Sequence, residues 1–389
     1  MMIEREITDH LRLLAEKYPV VTVTGPRQSG KTTLVKHVFK DKAYINLENP
    51  EEREFAQTDP KGFLNKIPGG AILDEIQRVP NLLSYIQVIT DEKKQTGMFV
   101  LTGSQQFELL EFIDQSLAGR TALINLLPLS LSELKDHHTY SNKNEVIHKG
   151  FYPRIFDRQL EPYQAYGDYY ETYVERDLRK LINVKNLSQF QKFVKLCAGR
   201  IGQLLNLTAI GNDIGISHTT AREWLTILET SFIIFLLEPF YRNIRKRLVK
   251  SPKIYFFDVG LAAYLLGIEE ESHLENHPLR GNLFENLVLM EILKYRFNNG
   301  KKSNLNFYRD STGNEVDVLY NVAQRAVAIE IKSAESINSD FFKGLRAFES
   351  AVPEMVLGKA LVYGGDRVET RSGVQISDIF GIREFLDRF

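Results

Sequence analysis

Gly25, Gly30, Lys31 and Thr32 fall at the spacing G-x-x-x-x-G-K-[ST], directly behind the apolar run VVTVT and ahead of a helical pattern. Each residue type in that spacing has a physical reason. Glycine permits a sharp turn that points successive backbone N–H groups inward, and the following helix N-terminus adds partial positive charge. The stretch Gly25, Pro26, Arg27, Gln28, Ser29, Gly30, Lys31, Thr32 and Thr33 is therefore built to cradle phosphates. Lys31 would reach the β- and γ-phosphates, and the Thr32 hydroxyl would ligate Mg²⁺.

Other residues are spaced to serve the same phosphates. GAILDEIQ, residues 70–77, is an apolar run ending in two carboxylates, the pattern of a buried parallel strand whose C-terminal edge opens on the phosphate site. Asp74 is placed to hold Mg²⁺ through its water shell, and Glu75 to orient and deprotonate an attacking water. The run MFVLTGS, residues 98–104, ends in small hydroxyl residues. Thr102 and Ser104 are candidates to contact the γ-phosphate, Ser104 being preferred, although Thr-Gly-Ser also reads as a simple turn. Arg120, closing LAGR, is a candidate for the charge that stabilises the transition state, in its own site or in a neighbour's. A helix C-terminus favours Arg for dipole reasons as well.

The last third carries a different set. An amphipathic helix over residues 280–297 holds Glu285, and strands follow at 305–309, 315–320 and 326–331. Glu315 and Asp317 share a strand face by the two-residue period, as do Glu330 and Lys332. A helix glutamate, a strand aspartate and an E-x-K pair are the parts of a metal-dependent nuclease site. Glu285, Asp317 and Glu330 would hold Mg²⁺ there, and Lys332 would orient water or offset phosphate charge.

These groups need elements to position them. Residues 3–17 form an amphipathic helix. From residue 20 to 135, strands (20–24, 43–47, within 70–77, 98–104 and one from 122) alternate with helices, among them one capped by Asn49 and one with Leu82, Leu83, Ile86 and Ile89 on a single face. That alternation predicts a parallel sheet with flanking helices. Residues 137–150 are polar and aperiodic and read as a solvated linker; His137, His138 and His148 lack partner ligands at metal spacing. Tyrosine-rich helices span 160–200. Residues 207–228 then have the rhythm helix, glycine turn, helix, with Ser217 or Thr219 as cap and Trp224, Leu225 and Leu228 on the buried side. Strands at 232–240 and 253–257 complete a winged helix-turn-helix pattern. Between them stand Arg242, Arg245, Lys246, Arg247, Lys250 and Lys253 without an acid, a basic loop 242–253 that would suit a DNA backbone. Such modules also join domains and subunits.

Composition bounds the partners. At 389 residues, two or three domains are expected: 1–136, 150–270 and 278–389. Lys+Arg 49 against Asp+Glu 50 gives a net charge of −1, so nucleic acid or anionic lipid must be met by a local patch. Cys197 is the single cysteine, which fits a reducing, cytoplasmic setting. No apolar run is long enough to span a bilayer, and no membrane partner is expected.

With TGPRQSGKTTL, AILDEIQ, LTGSQ, LAGR, the helix-turn-helix and EVD…IEIK in order, the whole chain resembles prokaryotic AAA-type ATP-binding proteins with a C-terminal domain of unknown function related to PD-(D/E)XK nucleases. The resemblance implies an α/β multidomain protein: a P-loop ATPase parallel sheet, a winged helix-turn-helix middle and a restriction-endonuclease-like α/β end. It implies ATP as the nucleotide and no settled substrate. The expectation is a Mg²⁺-dependent ATPase whose nucleotide state repositions the later domains, with DNA, a protein partner or a second subunit as candidate partners. The alternatives are an ATP-gated DNA nuclease cutting at the C-terminal site and a non-catalytic nucleotide switch bound to a protein.

Overall fold

The computed structural model describes residues 3–103, 116–178, 186–240 and 251–389, with residues 175–178 described by their backbone alone. The chain forms two compact units. The first comprises Met1–Leu129 with Thr230–Phe232 and Arg296–Lys301; the second comprises Ser130–Glu229, Ile233–Tyr295 and Lys302–Phe389.

In the first unit, β1 (Val20–Thr24), β2 (Ala43–Asn46), β3 (Ala71–Asp74), β4 (Phe99–Thr102) and β5 (Thr121–Asn125) form one sheet in the order β2-β3-β4-β1-β5, with every pairing parallel. The inner strands β3, β4 and β1 are buried at every residue, whereas the edge strands β2 and β5 are partly exposed. This is why the inner strands read as unbroken apolar runs. Alternate side chains supply opposite faces. Val20, Leu73, Phe99 and Leu101 join Leu83 and Ile86 of the helix Leu82–Lys93 in one core. Val21, Val23, Ile72 and Val100 meet Leu11 of the helix Thr8–Lys17 and Leu34 and Val35 of the helix Lys31–Val38 in the other. Each such side chain contributes roughly 1.5–3 kcal/mol by leaving water. Because all five strands run one way, Thr24, Asn46, Asp74, Thr102 and Asn125 end at one edge of the sheet, the edge at which ligands collect in such folds.

The second unit begins with a capping box: Ser130 Oγ accepts from the Glu133 N–H at 3.1 Å, and Glu133 Oε2 accepts from the Ser130 N–H at 2.9 Å. The expected linker is in part a helix, Lys143–Lys149. Asn142 caps it by accepting from the N–H groups of Asn144 and Glu145, and Val146 and Ile147 are buried. Two turns offer too few positions for a periodic signal. Its neighbour His138 is tied to Glu145 at 3.0 Å. The tyrosines pack, with Tyr152, Tyr166 and Tyr169 buried and in ring contact. The helices Leu207–Ile214 and His218–Thr230 are joined through Gly215 at φ 73°, and Ser217 Oγ accepts from the Thr220 N–H at 3.0 Å. Trp224 stands edge-on to Phe190 and Phe193 of the helix Leu187–Ala198. β6 (Ile234–Leu237) and β7 (Lys253–Phe256) pair antiparallel. Arg242, Arg245, Lys246, Arg247 and Lys250 lie outside the described residues.

The chain ends in a six-stranded mixed sheet of β8 (Leu305–Arg309), β9 (Glu315–Val322), β10 (Arg325–Lys332), β11 (Val356–Tyr363), β12 (Glu369–Arg371) and β13 (Val374–Ser377), in the order β12-β13-β11-β10-β9-β8. β8, β9 and β10 form an antiparallel meander, β10, β11 and β13 run parallel, and β12 returns antiparallel at the edge. Leu345 and Phe348 of the helix Lys343–Ala351 pack on this sheet. The helix Arg280–Asn298 was expected to be amphipathic and is instead buried on nearly every side, including Leu283, Leu287, Met290 and Leu293. Apolar residues at 283, 284, 287–290, 292 and 293 leave it no polar stripe. Its buried Asn286 is satisfied by both the N–H (2.7 Å) and the C=O (3.0 Å) of Phe256. No helix among the described residues is long and apolar enough to cross a membrane.

Candidate active site

The turn after β1 needs its glycines. Gly25 has φ +146°, and a Cβ there would stand 2.1 Å from the carbonyl oxygen of Leu126; Gly30, at φ +91°, heads the helix Lys31–Val38. No side chain caps that helix, so its first N–H groups are free of a competing acceptor from Gly30. Lys31 spans the loop, its Nζ donating to the carbonyl oxygens of Gly25 at 3.0 Å and Pro26 at 2.8 Å. Burial lowers its pKa to about 8, against the partial support of Glu75 and Asp74. Ser29 Oγ is buried without a partner, a hydroxyl available to an acceptor in the loop.

Nothing in the sequence marked Arg5, one charge among several near the N-terminus. It is buried and donates from Nη1 to Ser29 O at 2.8 Å and from Nη2 to Leu127 O at 2.7 Å, fixing the loop to the segment after β5. Charge-assisted bonds to buried carbonyls are expensive to lose. Arg5→Ala is expected to destabilise the first unit by about 2–4 kcal/mol, read as a lower urea midpoint with an unchanged slope.

At the ends of β3 and β4, four side chains converge. Thr32 Oγ1 donates to Asp74 Oδ2 at 2.8 Å, and the Tyr44 hydroxyl donates to the same oxygen at 2.7 Å. Thr102 Oγ1 donates to Asp74 Oδ1, and the Glu75 N–H donates to Thr102 Oγ1 at 3.4 Å. The two expected Mg²⁺ ligands, Thr32 and Asp74, are thus in contact. Tyr44, on the edge strand β2, escaped notice because its partner lies 30 positions away. Glu75 sits at φ +59°, a left-handed conformation unusual outside glycine, and its Oε2 accepts from Gln77 Nε2 at 2.5 Å. Ser104, the preferred γ-phosphate contact, lies outside the described residues.

Arg120 requires a correction. Its carbonyl oxygen accepts from the Val20 N–H at 3.3 Å, which puts it at the N-terminal edge of the sheet. The length of β1, roughly 3.3 Å per residue, separates that edge from the phosphate loop. Its guanidinium is engaged by Asp91, from Nε at 2.6 Å and Nη2 at 2.8 Å. Within its own chain Arg120 does not reach the site, because a parallel sheet puts the start of β5 opposite the ends of β1 and β3.

Residues 17–135 match the AAA domain family AAA_14, residues 141–272 a domain of unknown function (DUF8612) and residues 280–383 another (DUF4143). The uncharacterised proteins Rv2008c of Mycobacterium tuberculosis (strain ATCC 25618 / H37Rv) and Mb2031c of Mycobacterium bovis (strain ATCC BAA-935 / AF2122/97) are each 31% identical over 373 residues, 94% of this chain and 81% of theirs. The chain belongs to the same family as these mycobacterial proteins. Among solved structures it is similar to the Walker-type ATPase PABY2304 of Pyrococcus abyssi (TM-score 0.48, 15% identity, 68% of this chain and 96% of that one). It is also similar to the Thermotoga maritima RuvB Holliday junction branch migration motor (TM-score 0.30, 18% identity, 63% and 91%). By the family matches, the phosphate loop lies in the AAA domain and the mixed sheet in the DUF4143 domain.

The DUF4143 domain of this family member brings together the four residues singled out from its sequence. Lys332 Nζ lies 2.6 Å from Glu330 Oε1 and 3.5 Å from Asp317 Oδ2, and the Ile331 N–H donates to Asp317 Oδ2 at 2.8 Å. Glu285 Oε1 accepts from the Tyr255 hydroxyl at 2.5 Å. A fifth residue joins them: Lys253 Nζ stands 3.0 Å from Glu285, 2.6 Å from Glu315 and 3.9 Å from Asp317. Expected on a solvated basic wing, Lys253 is 3% exposed. Burial and the Asp317 charge push Glu285 to about 7 and Glu330 to about 8. Burial would lower the pKa of Lys253, but Glu285, Asp317 and Glu315 outweigh it and hold the ammonium charged.

Proposed function

We propose that the AAA_14 domain binds ATP with Mg²⁺ and hydrolyses it. The contact of Thr32 with Asp74, at the head of a helix whose first turn no side chain caps, carries this reading. Lys31 and the loop N–H groups would hold the phosphates, Thr32 and Asp74 the metal, and Glu75 the attacking water. When bound, Mg²⁺ supplies charge that offsets the phosphate oxygens. Thr102 and Tyr44 hold Asp74 in orientation, and Gln77 does the same for Glu75.

Lys31 makes the reading testable by its proton. Without phosphate its pKa is about 8, below the ordinary 10.5, because burial penalises the ammonium. Adjacent phosphates favour the charged form and raise that value. Between the two values ATP binding takes up a proton, and affinity falls as pH rises across that window. Titration calorimetry with ATP and Mg²⁺ at about pH 9, in buffers of different ionisation enthalpy, should show uptake of nearly one proton. Binding without uptake there, or no binding at all, would contradict the assignment.

For a nucleic-acid partner the described surface offers less support. The helix His218–Thr230 exposes Arg222 beside Glu223, a face of mixed sign.

A further inference from the structure

The carboxylate cluster of the DUF4143 domain already holds a cation, and it is a side chain. Lys253 Nζ is 3.0, 2.6 and 3.9 Å from single oxygens of Glu285, Glu315 and Asp317, which come from the helix Arg280–Asn298 and from β9. Convergence of one oxygen from each of three acids on one positive centre is the arrangement that a hard divalent cation also requires, at about 2.0–2.6 Å. The wider spacing here is that of salt bridges. Accordingly, no group of three His, Cys, Asp or Glu among the described residues stands where it could hold a metal ion.

Two further observations point to a cation. Glu330, 7% exposed, keeps one carboxylate oxygen, Oε2, buried without a partner, while its Oε1 meets Lys332. Against four carboxylates the cluster sets two ammonium groups, Lys253 and Lys332, and Arg309 reaches only the outer oxygen of Glu315, at 3.2 Å. A buried carboxyl oxygen without a partner is costly, and a cation bound beside Glu330 would supply one.

We propose that Lys253 is the resident cation of this cluster and excludes a divalent metal from it, so that a Mg²⁺- or Mn²⁺-type site in the DUF4143 domain is latent while the Lys253 ammonium occupies it. Lys253 is the first residue of β7, paired with Leu237 on one side and bridged to Leu204 on the other, which fixes the backbone from which its ammonium reaches the cluster. With that ammonium removed, Glu285, Asp317 and Glu330 would be the residues to hold the metal.

Thermal melting of the full chain without nucleotide, with and without millimolar Mn²⁺, tests this. The wild type should not respond to Mn²⁺ through this cluster. Lys253→Met should melt lower than wild type in metal-free buffer and rise by about 4 °C or more with Mn²⁺, and adding Asp317→Asn should remove the response. Lys253→Gln, which keeps a polar group in the pocket, gives the same comparison should the methionine variant not fold. Two results overturn the proposal: a folded Lys253 variant indifferent to Mn²⁺, or a wild type stabilised by Mn²⁺ in a manner that Asp317→Asn abolishes.

Discussion

Glu75→Gln should leave ATP bound and cut its hydrolysis by about 100-fold or more, the usual worth of a positioned general base. The amide keeps the volume and the hydrogen-bonding reach of the side chain, so the strained backbone at φ +59° and the contact with Gln77 can persist. What it cannot do is take a proton from water. The left-handed backbone holds Glu75 beside Asp74, the residue proposed to bind the metal. Single-turnover phosphate release set beside equilibrium nucleotide binding separates the two effects. Loss of binding in step with hydrolysis would mean that Glu75 serves the loop's architecture instead of the chemistry.

Lys31→Ala should have the larger effect on affinity, weakening ATP binding by about 100-fold or more, since the loop would lose the charge proposed to face the outer phosphates. Its effect on stability runs the other way. The folded pKa of Lys31 is about 8, below its ordinary 10.5, so folding works against the charged form. That burden is fully present below about pH 8 and disappears as pH climbs past 10.5. Removing the lysine removes the burden, at the expense of two hydrogen bonds to loop carbonyls. At neutral pH the nucleotide-free variant should therefore melt close to wild type or above it while failing to bind ATP. A variant that loses both fold and affinity would assign Lys31 a structural role.

The parts of the site that could be read from sequence are those whose chemistry needs contiguous residues. The phosphate loop packs its turn, its lysine and its hydroxyl into eight positions, and a buried parallel strand ending in Asp74 and Glu75 announces itself by an apolar run. Contacts that close through space leave no such trace. Arg5 meets carbonyls 24 and 122 positions away, and Tyr44 meets Asp74 across 30. Arg120 shows a different limit: its charge and the LAGR string suggested a role, whereas its place just before β5 in a parallel sheet puts it at the N-terminal edge. Lys253 closes a run of basic residues, and its sequence neighbours suggested solvent; what buries it are Glu285 and Glu315, 32 and 62 positions on, in elements that the local sequence does not specify. The helix Lys143–Lys149 is too short to show a period, and the helix Arg280–Asn298 carries polar residues such as Glu291 and Lys294 that read as a solvent face but are buried as a pair.

The most direct test is steady-state phosphate release from ATP by the wild-type chain, with Mg²⁺ and with the metal chelated. The account predicts turnover that requires Mg²⁺ and stops on chelation, because Thr32 and Asp74, in contact at 2.8 Å, are the residues proposed to hold that ion. Tight ATP binding with no phosphate released in either condition would contradict it, and would make the nucleotide a fixed ligand of this domain.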